Sequence, residues 1–427
     1  MEEETAAMAV SLPDDLLLEI LVRIKDAEVL FRCATACKQW RRLVTNLSFL
    51  RRRWPEDMCR SSSFVGFLTR EPLYVQGYSG PSSVREMCFV PGPRSSLGPC
   101  RRSLSSFMSP AHADLLKHAV PLVSRRGLVV MRLNAPNTSG YTNPSILPLA
   151  VWNPIAGTCD KLPPLKFKSA IHDGWNGYAI LSGVDCLPKD EPWSDESSFF
   201  KVVILVFHNY DRKYKLHVFS SDKARWGLRR NCFDTDDPGK FSNAIVCRGM
   251  AHWVFHCSRE VCFYIINLNT QTSHCSMRKL PSEMNYHFTE SRPSLTLAVN
   301  GKLSLLWVQS SGPQQLVIWE QQESQQNMGV ASEWLCTQMI ELKQLKETEG
   351  RELSVFWEKC GVVLITNKTR EYIYSFTPQN KNIYTFDLET RKMEEVVAWP
   401  HGQTIFPWDV VPLEIDWPDI FVSRLTR

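Results

Sequence analysis

Hydrophobic residues recur with helical spacing over about the first sixty residues and with strand spacing over the rest of the chain. Ser11 and Pro13 are residue types that suit the start of a helix. The apolar stripe of this first helix consists of Leu16, Leu17, Ile20, Leu21 and Ile24. A second stripe runs from Asp26 to Val44, and a short third helix ends at Pro55. The pattern therefore predicts three helices near the N-terminus.

These helices carry more apolar surface than they can bury among themselves. Three helices in about 45 residues are too few for a self-sufficient core. The remaining apolar surface must be covered either by a binding partner or by the C-terminal part of this chain. An apolar helix face indicates burial but not what covers it, so both alternatives stay open at this point.

From Cys59 onward, short runs of β-branched and aromatic residues alternate with turns rich in Gly, Pro, Asn and Ser, which predicts a mostly β region. The strand candidates are Gly127 to Leu133, Leu149 to Asn153, Val202 to His208, Lys215 to Ser220, Met250 to His256, Val261 to Asn267, Leu303 to Gln309, Leu316 to Trp319, Leu353 to Trp357, Val362 to Asn367 and Ile383 to Leu388. The segment 81–109, rich in Ser, Pro and Arg, is interpreted as a linker or long loop.

An imperfect sequence repeat runs through this β region. A strand that leads into a polar turn recurs at Val151 to Gly157, Ile266 to Gln271 and Phe386 to Arg391. Similar strands lie midway between these copies, which sets the repeat at roughly 58 residues. Residues 60–427 then hold about six units, and seven or eight also fit the spacing. Small repeated sheets must stack on one another to bury both faces, so the pattern favours a closed β-propeller over an open sandwich.

The N-terminal residues also carry a family motif. The run LPDDLLLEILVRI at 12–24, followed by CKQWRRL at 37–43, resembles the F-box motif in order and spacing. Ile24 replaces the common Leu, and Ala36 replaces the Val that usually precedes the Cys. The β region resembles, more weakly, the F-box-associated and kelch-like regions of large plant F-box families, although it lacks the paired glycines of a strict kelch repeat.

The resemblance implies a fold of the α plus all-β class, with a three-helix F-box domain at 11–55 and a β-propeller at 60–427, after a flexible segment at 1–10. It also implies that the helices dock on a Skp-type adaptor, which a cullin and a RING subunit carry. The residues expected at this docking surface or in its immediate support are Leu12, Pro13, Leu16, Leu17, Ile20, Leu21, Leu30 and Trp40. Trp175 and Trp193 lie in a Gly- and Pro-rich insertion and are candidate contacts for a target protein, although an ordinary tolerated insertion is the favoured explanation of the segment.

Composition argues against several classes of function and location. The net charge of +4 over 427 residues is too slight to indicate nucleic acid or a membrane surface as a partner. The longest apolar run is too short to span a bilayer, and the N-terminus lacks the composition of a secretory signal. Scattered cysteines without C-x-x-C pairs are typical of a reducing compartment, so we expect the protein in the nucleus, the cytoplasm or both.

No catalytic, metal or cofactor motif is present in the sequence. Phosphate-loop, dinucleotide, zinc-protease and serine-hydrolase signatures are all missing. His252 and His256 would share one face of a strand but lie about 13 Å apart, too far for one zinc ion. We therefore expect no cofactor and no enzymatic activity.

The sequence thus predicts a substrate-recognition subunit of a Skp-cullin-F-box ubiquitin ligase, in which the helices bind the adaptor and the propeller binds a target protein. The alternative is a propeller scaffold or ligand-binding protein that does not act through a ubiquitin ligase.

Overall fold

A computed structural model describes residues 12–24, 26–54, 64–72, 85–92, 95, 102–103, 110–116, 118–133, 145–167, 175–186, 199–227, 230–235, 238–247, 249–257, 259–260, 262–281, 293–298, 301–309, 313–322, 334–342, 352–359, 361–368, 382–398 and 410–425. The chain divides into two compact units. A helical unit comprises residues 1–63 and 416–427, and a β unit comprises residues 64–415.

The described part of the helical unit consists of α1 (Asp14–Arg23), α2 (Ala27–Ala36), α3 (Lys38–Val44), α4 (Leu47–Arg53) and a C-terminal helix. The predicted second helix is divided in two because Cys37 takes an extended backbone conformation. The Cys37 Sγ atom then caps α3 by accepting a hydrogen bond from the Trp40 backbone N–H. The prediction of three helices therefore missed one helix boundary.

The β unit is built from antiparallel sheets that share one strand order. Two short helices, α5 (Pro110–Leu116) and α6 (Gly183–Cys186), accompany them. Blade 1 contains β28 (Val411–Glu414), β1 (Phe64–Pro72), β2 (Arg85–Pro91) and β3 (Arg102–Ser103). Blade 2 contains β4 (Val120–Arg125), β5 (Leu128–Arg132), β7 (Leu149–Asn153) and β8 (Thr158–Lys161). A separate two-stranded sheet is formed by β6 (Ile146–Leu147), which precedes β7 in the chain, and β9 (Leu165–Lys166), which follows β8.

The remaining blades repeat the pattern. Blade 3 contains β10 (Gly177–Ser182), β11 (Phe200–His208), β12 (Lys213–Ser220), β13 (Arg225–Trp226) and β14 (Arg230–Asp234). Blade 4 contains β15 (Lys240–Phe241), β16 (Ile245–Cys247), β17 (Met250–Cys257), β18 (Cys262–Asn269) and β19 (Cys275–Lys279). Blade 5 contains β20 (Ser294–Leu297), β21 (Leu303–Gln309), β22 (Gln315–Gln321) and β23 (Trp334–Glu341). Blade 6 contains β24 (Glu352–Lys359), β25 (Val362–Lys368), β26 (Asn382–Asp387) and β27 (Met393–Ala398).

Within the described residues these six blades form a closed ring. One buried apolar cluster joins each of the successive pairs 2–3, 3–4, 4–5, 5–6 and 6–1. Blades 1 and 2 meet where β28 lies beside β4, and the Ser124 hydroxyl donates a hydrogen bond to the Pro412 carbonyl. The C-terminal strand β28 pairs with β1 in blade 1, so the two ends of the β unit close the ring. The predicted β-propeller is confirmed, with six blades.

The repeat seen in the sequence corresponds to one hairpin, between the third and fourth strands of a blade. Asn153, Asn269 and Asp387 each end a third strand, and the side-chain oxygen of each accepts hydrogen bonds from the backbone N–H groups two and three residues later. These positions are about 116 and 118 residues apart, and each of these intervals spans two blades. In the sequence, Asn267 on β18 resembles the turn residue Asn153, but the residue that occupies the equivalent position in the structure is Asn269.

Two predicted domain boundaries are corrected. The segment 81–109 was expected to be a linker or long loop, but it contains β2 and β3 of blade 1. The C-terminal residues of the expected 60–427 propeller do not belong to the β unit, because residues 417–425 form a helix, α7 (Trp417–Leu425), that packs within the helical unit. Among the described residues, no helix has the length and apolar character needed to cross a membrane.

A buried ion pair links blade 2 to blade 3. The Arg125 guanidinium at the end of β4 contacts the Asp185 carboxylate in α6, with an Nε to Oδ2 distance of 2.9 Å. The Asp185 side chain is 6% exposed. Burial alone raises the pKa of Asp185, but the Arg125 charge and hydrogen bonds hold it well below its ordinary value.

Replacing Asp185 with alanine is expected to destabilise the β unit by about 3 kcal/mol, because Arg125 stays buried without its carboxylate. The folded carboxyl has a lower pKa than the unfolded one, so the pair stabilises the protein fully above about pH 5. That contribution is lost only as the pH falls below about 4, toward the folded pKa. Urea unfolding of wild type and variant at pH 7 and pH 3 measures both effects. Equal unfolding midpoints at pH 7 would contradict the prediction, and Asp222→Ala, which removes an exposed carboxylate, is the control.

Candidate functional site

An apolar stripe on α1 is exposed in the helical unit. The stripe consists of Leu16 and Ile20, which lie four residues apart on one face of α1, and of Leu12, which precedes the helix. The exposed fractions of Leu12, Leu16 and Ile20 are 46%, 47% and 52%. Pro13, at the start of the same helix, is also exposed, and Val29 adds an exposed apolar side chain on α2. A group of half-exposed aliphatic side chains on one helix and at its start is typical of a surface that binds a protein partner.

The other predicted docking residues lie beneath this stripe or beside it. Leu17, Leu21 and Leu30 are buried, so in this structure they hold α1 and α2 in place. Trp40 on α3 is half-buried. The sequence could not separate residues at the surface from those that support it, and the structure makes that separation: Leu12, Pro13, Leu16 and Ile20 are at the surface. Adaptor contact by any of them stays a prediction.

Polar contacts fix α1 against its neighbours and leave the stripe uncovered. The Asp14 carboxylate accepts hydrogen bonds from Gln39 Nε2 at 2.8 Å and from Arg42 Nη2 at 2.7 Å, which ties α1 to α3. Glu19 pairs with Arg52 on α4, and this hydrogen bond holds the pKa of Glu19 below its ordinary value. The helix begins at Asp14, with Pro13 as the N-cap residue and no side-chain cap, whereas the predicted cap Ser11 lies outside the described residues.

The C-terminal helix α7 completes the core of the helical unit. The Phe421 ring is fully buried and packs edge-on against Phe31 of α2, with ring centroids 5.5 Å apart. It also packs against Trp54, which follows α4, at 5.2 Å. Nearby, the buried Arg53 donates two hydrogen bonds to the Ile24 carbonyl, at 3.2 and 2.9 Å. This packing was not predicted, because nothing in the sequence pairs a C-terminal segment with helices almost 400 residues earlier.

Of the two tryptophans predicted to contact a target, the structure describes Trp175. Trp175 is half-buried and packs edge-on against Phe207, at 6.1 Å, beside the core shared by blades 3 and 4. Its position favours a packing role over an exposed contact. Trp193 lies outside the described residues. The most exposed large apolar side chains of the described β unit are instead Tyr210, in the turn between β11 and β12, and Leu335 and Met339 on β23.

The histidines considered as metal ligands are held in other interactions. His252 Nδ1 lies 2.7 Å from Asn267 Oδ1, and burial lowers the pKa of His252. The His256 ring packs on Phe263, with centroids 4.7 Å apart. Across the part of the chain that the structure describes, no group of three or more His, Cys, Asp or Glu side chains could hold a metal ion.

Family models match residues in both the helical unit and the β unit. A family model described as "F-box protein AT5G49610-like, beta-propeller" matches residues 148–421, and an F-box-like model matches residues 9–54. No curated protein matches the chain.

Several solved structures are similar at low sequence identity. AofleA from Arthrobotrys oligospora is 9% identical with a TM-score of 0.39, covering 83% of this chain and 90% of its own. Kuenenia stuttgartiensis hydrazine synthase is 11% identical with a TM-score of 0.42, covering 84% of this chain and 48% of its own. The β-propeller domain of the Trilobed protease from Pyrococcus furiosus is 8% identical with a TM-score of 0.34, covering 65% and 70%. All three TM-scores lie below 0.5, and the six-bladed assignment rests on the sheet order of this chain.

Proposed function

This chain belongs to the AT5G49610-like family of F-box β-propeller proteins, and from that premise we propose that it is the substrate-recognition subunit of a Skp-cullin-F-box ubiquitin ligase. An F-box joined to a β-propeller supports a role in substrate recognition within complexes of this type in general. The observation that carries the proposal for this chain is the exposed stripe of Leu12, Leu16 and Ile20 on a helical unit that matches the F-box.

The two units have separate roles in this proposal. The stripe on α1 binds a Skp-type adaptor, which brings a cullin and a RING subunit, and the propeller binds the protein to be modified. F-box β-propeller proteins are generally non-catalytic adaptors, and we propose the same for this chain. Its contribution to the reaction is proximity, because holding the target and the charged ubiquitin carrier in one assembly raises their effective concentration.

We propose the nucleus or the cytoplasm as the place of action. The support is compositional: 14 cysteines without C-x-x-C pairs suit a compartment that keeps thiols reduced.

Reconstitution with a purified Skp-type adaptor tests the proposal. Wild-type protein is expected to form a one-to-one complex in size-exclusion chromatography with light scattering. A full-length Leu12→Ala/Pro13→Ala variant is expected to bind the adaptor at least roughly tenfold more weakly, because it removes the exposed apolar start of the stripe. Failure of folded wild-type protein to bind any of several such adaptors would contradict the proposal and favour the scaffold alternative.

A further inference from the structure

Two cysteines meet where blades 3 and 4 pack against each other. Cys232 lies on β14 and Cys275 lies on β19, outer strands of consecutive blades in which Cα atoms approach within 8 Å. The Cys275 thiol and the Cys232 sulfur are in hydrogen-bond contact. Both side chains are half-buried and pack on the same apolar cluster. The two sulfurs are therefore adjacent although about 40 residues of chain separate them.

A second contact holds the two strands together. Arg230 Nη1, two residues before Cys232 on β14, donates a hydrogen bond to the Thr272 carbonyl at 3.2 Å. Thr272 lies in the turn that leads into β19, and this turn is fixed by the Asn269 side chain. Cys232 is the extra residue of a β-bulge in β14, and its side chain packs on the apolar cluster that blades 3 and 4 share. The thiol pair thus lies in a fixed contact between two blades.

The two thiols differ in their acid-base properties. Hydrogen bonds from the Cys275 thiol and from the Leu216 backbone outweigh burial and lower the pKa of Cys232. The hydrogen bond to Cys232 and burial raise the pKa of Cys275. Because the thiolate is the reactive form of cysteine, the lowered pKa favours Cys232 as the nucleophile of the pair.

We propose that Cys232 and Cys275 are a peroxide-responsive thiol pair that closes a disulfide between blades 3 and 4. In the first step the Cys232 sulfur attacks one oxygen of a hydroperoxide, the O–O bond breaks, and Cys232 becomes a sulfenic acid as water or an alcohol leaves. In the second step the Cys275 sulfur attacks the Cys232 sulfur, the S–O bond breaks, and water leaves as the S–S bond forms. Two thiols lose two electrons in total, and the peroxide gains them.

A second cysteine pair in neighbouring strands, within the described residues, provides a contrast. Cys257 and Cys262 are opposite one another on β17 and β18, but both are buried. The Cys262 thiol donates to the Glu260 carboxylate, and burial raises the pKa of Cys262. Peroxide is therefore expected to react at Cys232 before it reacts at this second pair.

The test is peroxide treatment of the full-length protein, followed by alkylation of remaining thiols, proteolysis without reductant and mass spectrometry. Wild-type protein treated with hydrogen peroxide is expected to yield a peptide pair linked through Cys232 and Cys275, which dithiothreitol separates. The Cys275→Ser variant should instead accumulate a sulfenic acid at Cys232 that a dimedone probe labels, and Cys232→Ser should abolish the linked pair.

The matched control is Cys159→Ser, which removes a half-buried thiol whose pKa burial and Asp160 raise to about 11, and which should leave the linked pair unchanged. Wild-type protein that forms no Cys232–Cys275 link, or that links Cys257 to Cys262 first, would overturn the proposal. This result depends on wild-type protein alone, so poor folding of a serine variant does not affect it.

Discussion

Replacing Ile20 with aspartate is expected to weaken binding to a Skp-type adaptor by more than about 100-fold while both units stay folded. Ile20 is 52% exposed, so the native helical unit tolerates a charged side chain at this position. At an adaptor interface the change removes apolar contact and buries a carboxylate without a partner, which together cost more than about 3 kcal/mol. Isothermal titration with the purified adaptor measures the loss directly.

Leu335→Asp is the matched control for this experiment. Leu335 is a similarly exposed aliphatic residue, but it lies on β23 of the propeller. The same chemical change there is expected to leave adaptor affinity unchanged. If Ile20→Asp binds the adaptor as tightly as wild type, the stripe on α1 is not the docking surface. If both variants lose binding equally, the effect is a general one of added charge and does not locate the interface.

Sequence reasoning recovered the second and third strands of blades 2 to 6, which are mostly buried, but missed buried first strands such as β10 (Gly177–Ser182). Each of the eleven predicted strands coincides largely with an observed one, as at Leu149–Asn153 and Leu303–Gln309. The outer strands β8 and β19 were missed because most of their side chains are exposed and carry no alternation of apolar and polar residues. An outer strand is defined by its hydrogen bonds to a buried neighbour, and a single sequence does not show that pairing.

The docking surface could be predicted only as a set of residues. Leu16, Leu17, Ile20 and Leu21 all belong to one helical stripe in the sequence, yet Leu16 and Ile20 are exposed whereas Leu17 and Leu21 are buried. The difference depends on which side of α1 the other helices cover, which is a tertiary property. The helix α7 was missed for the same reason, because helical spacing shows that a segment is amphipathic but not which distant elements it packs against.

Replacing Phe421 with alanine is expected to destabilise the helical unit by about 3–5 kcal/mol, the usual cost of removing a fully buried phenylalanine ring. A unit of this size has a total stability of only several kcal/mol, so the loss removes most of it. The amides of α1 to α4 should then exchange with deuterium much faster, and adaptor binding should fall because α1 no longer presents a fixed stripe. Hydrogen exchange followed by mass spectrometry reports the two units separately.

The propeller provides the internal reference for that measurement, because its blades bury their own apolar clusters without any contribution from Phe421. Exchange in β11, β17 and β21 is therefore expected to stay unchanged. Val422→Ala is the matched control, since it truncates the neighbouring, half-buried residue of the same helix and should cost less than about 1 kcal/mol. If Phe421→Ala leaves exchange in α1 and adaptor affinity at wild-type values, the C-terminal helix is dispensable for the F-box-like fold. If Phe421→Ala has the expected effect, the N-terminal F-box motif forms only part of the helical unit that presents the stripe. The helix α7 completes the core of that unit.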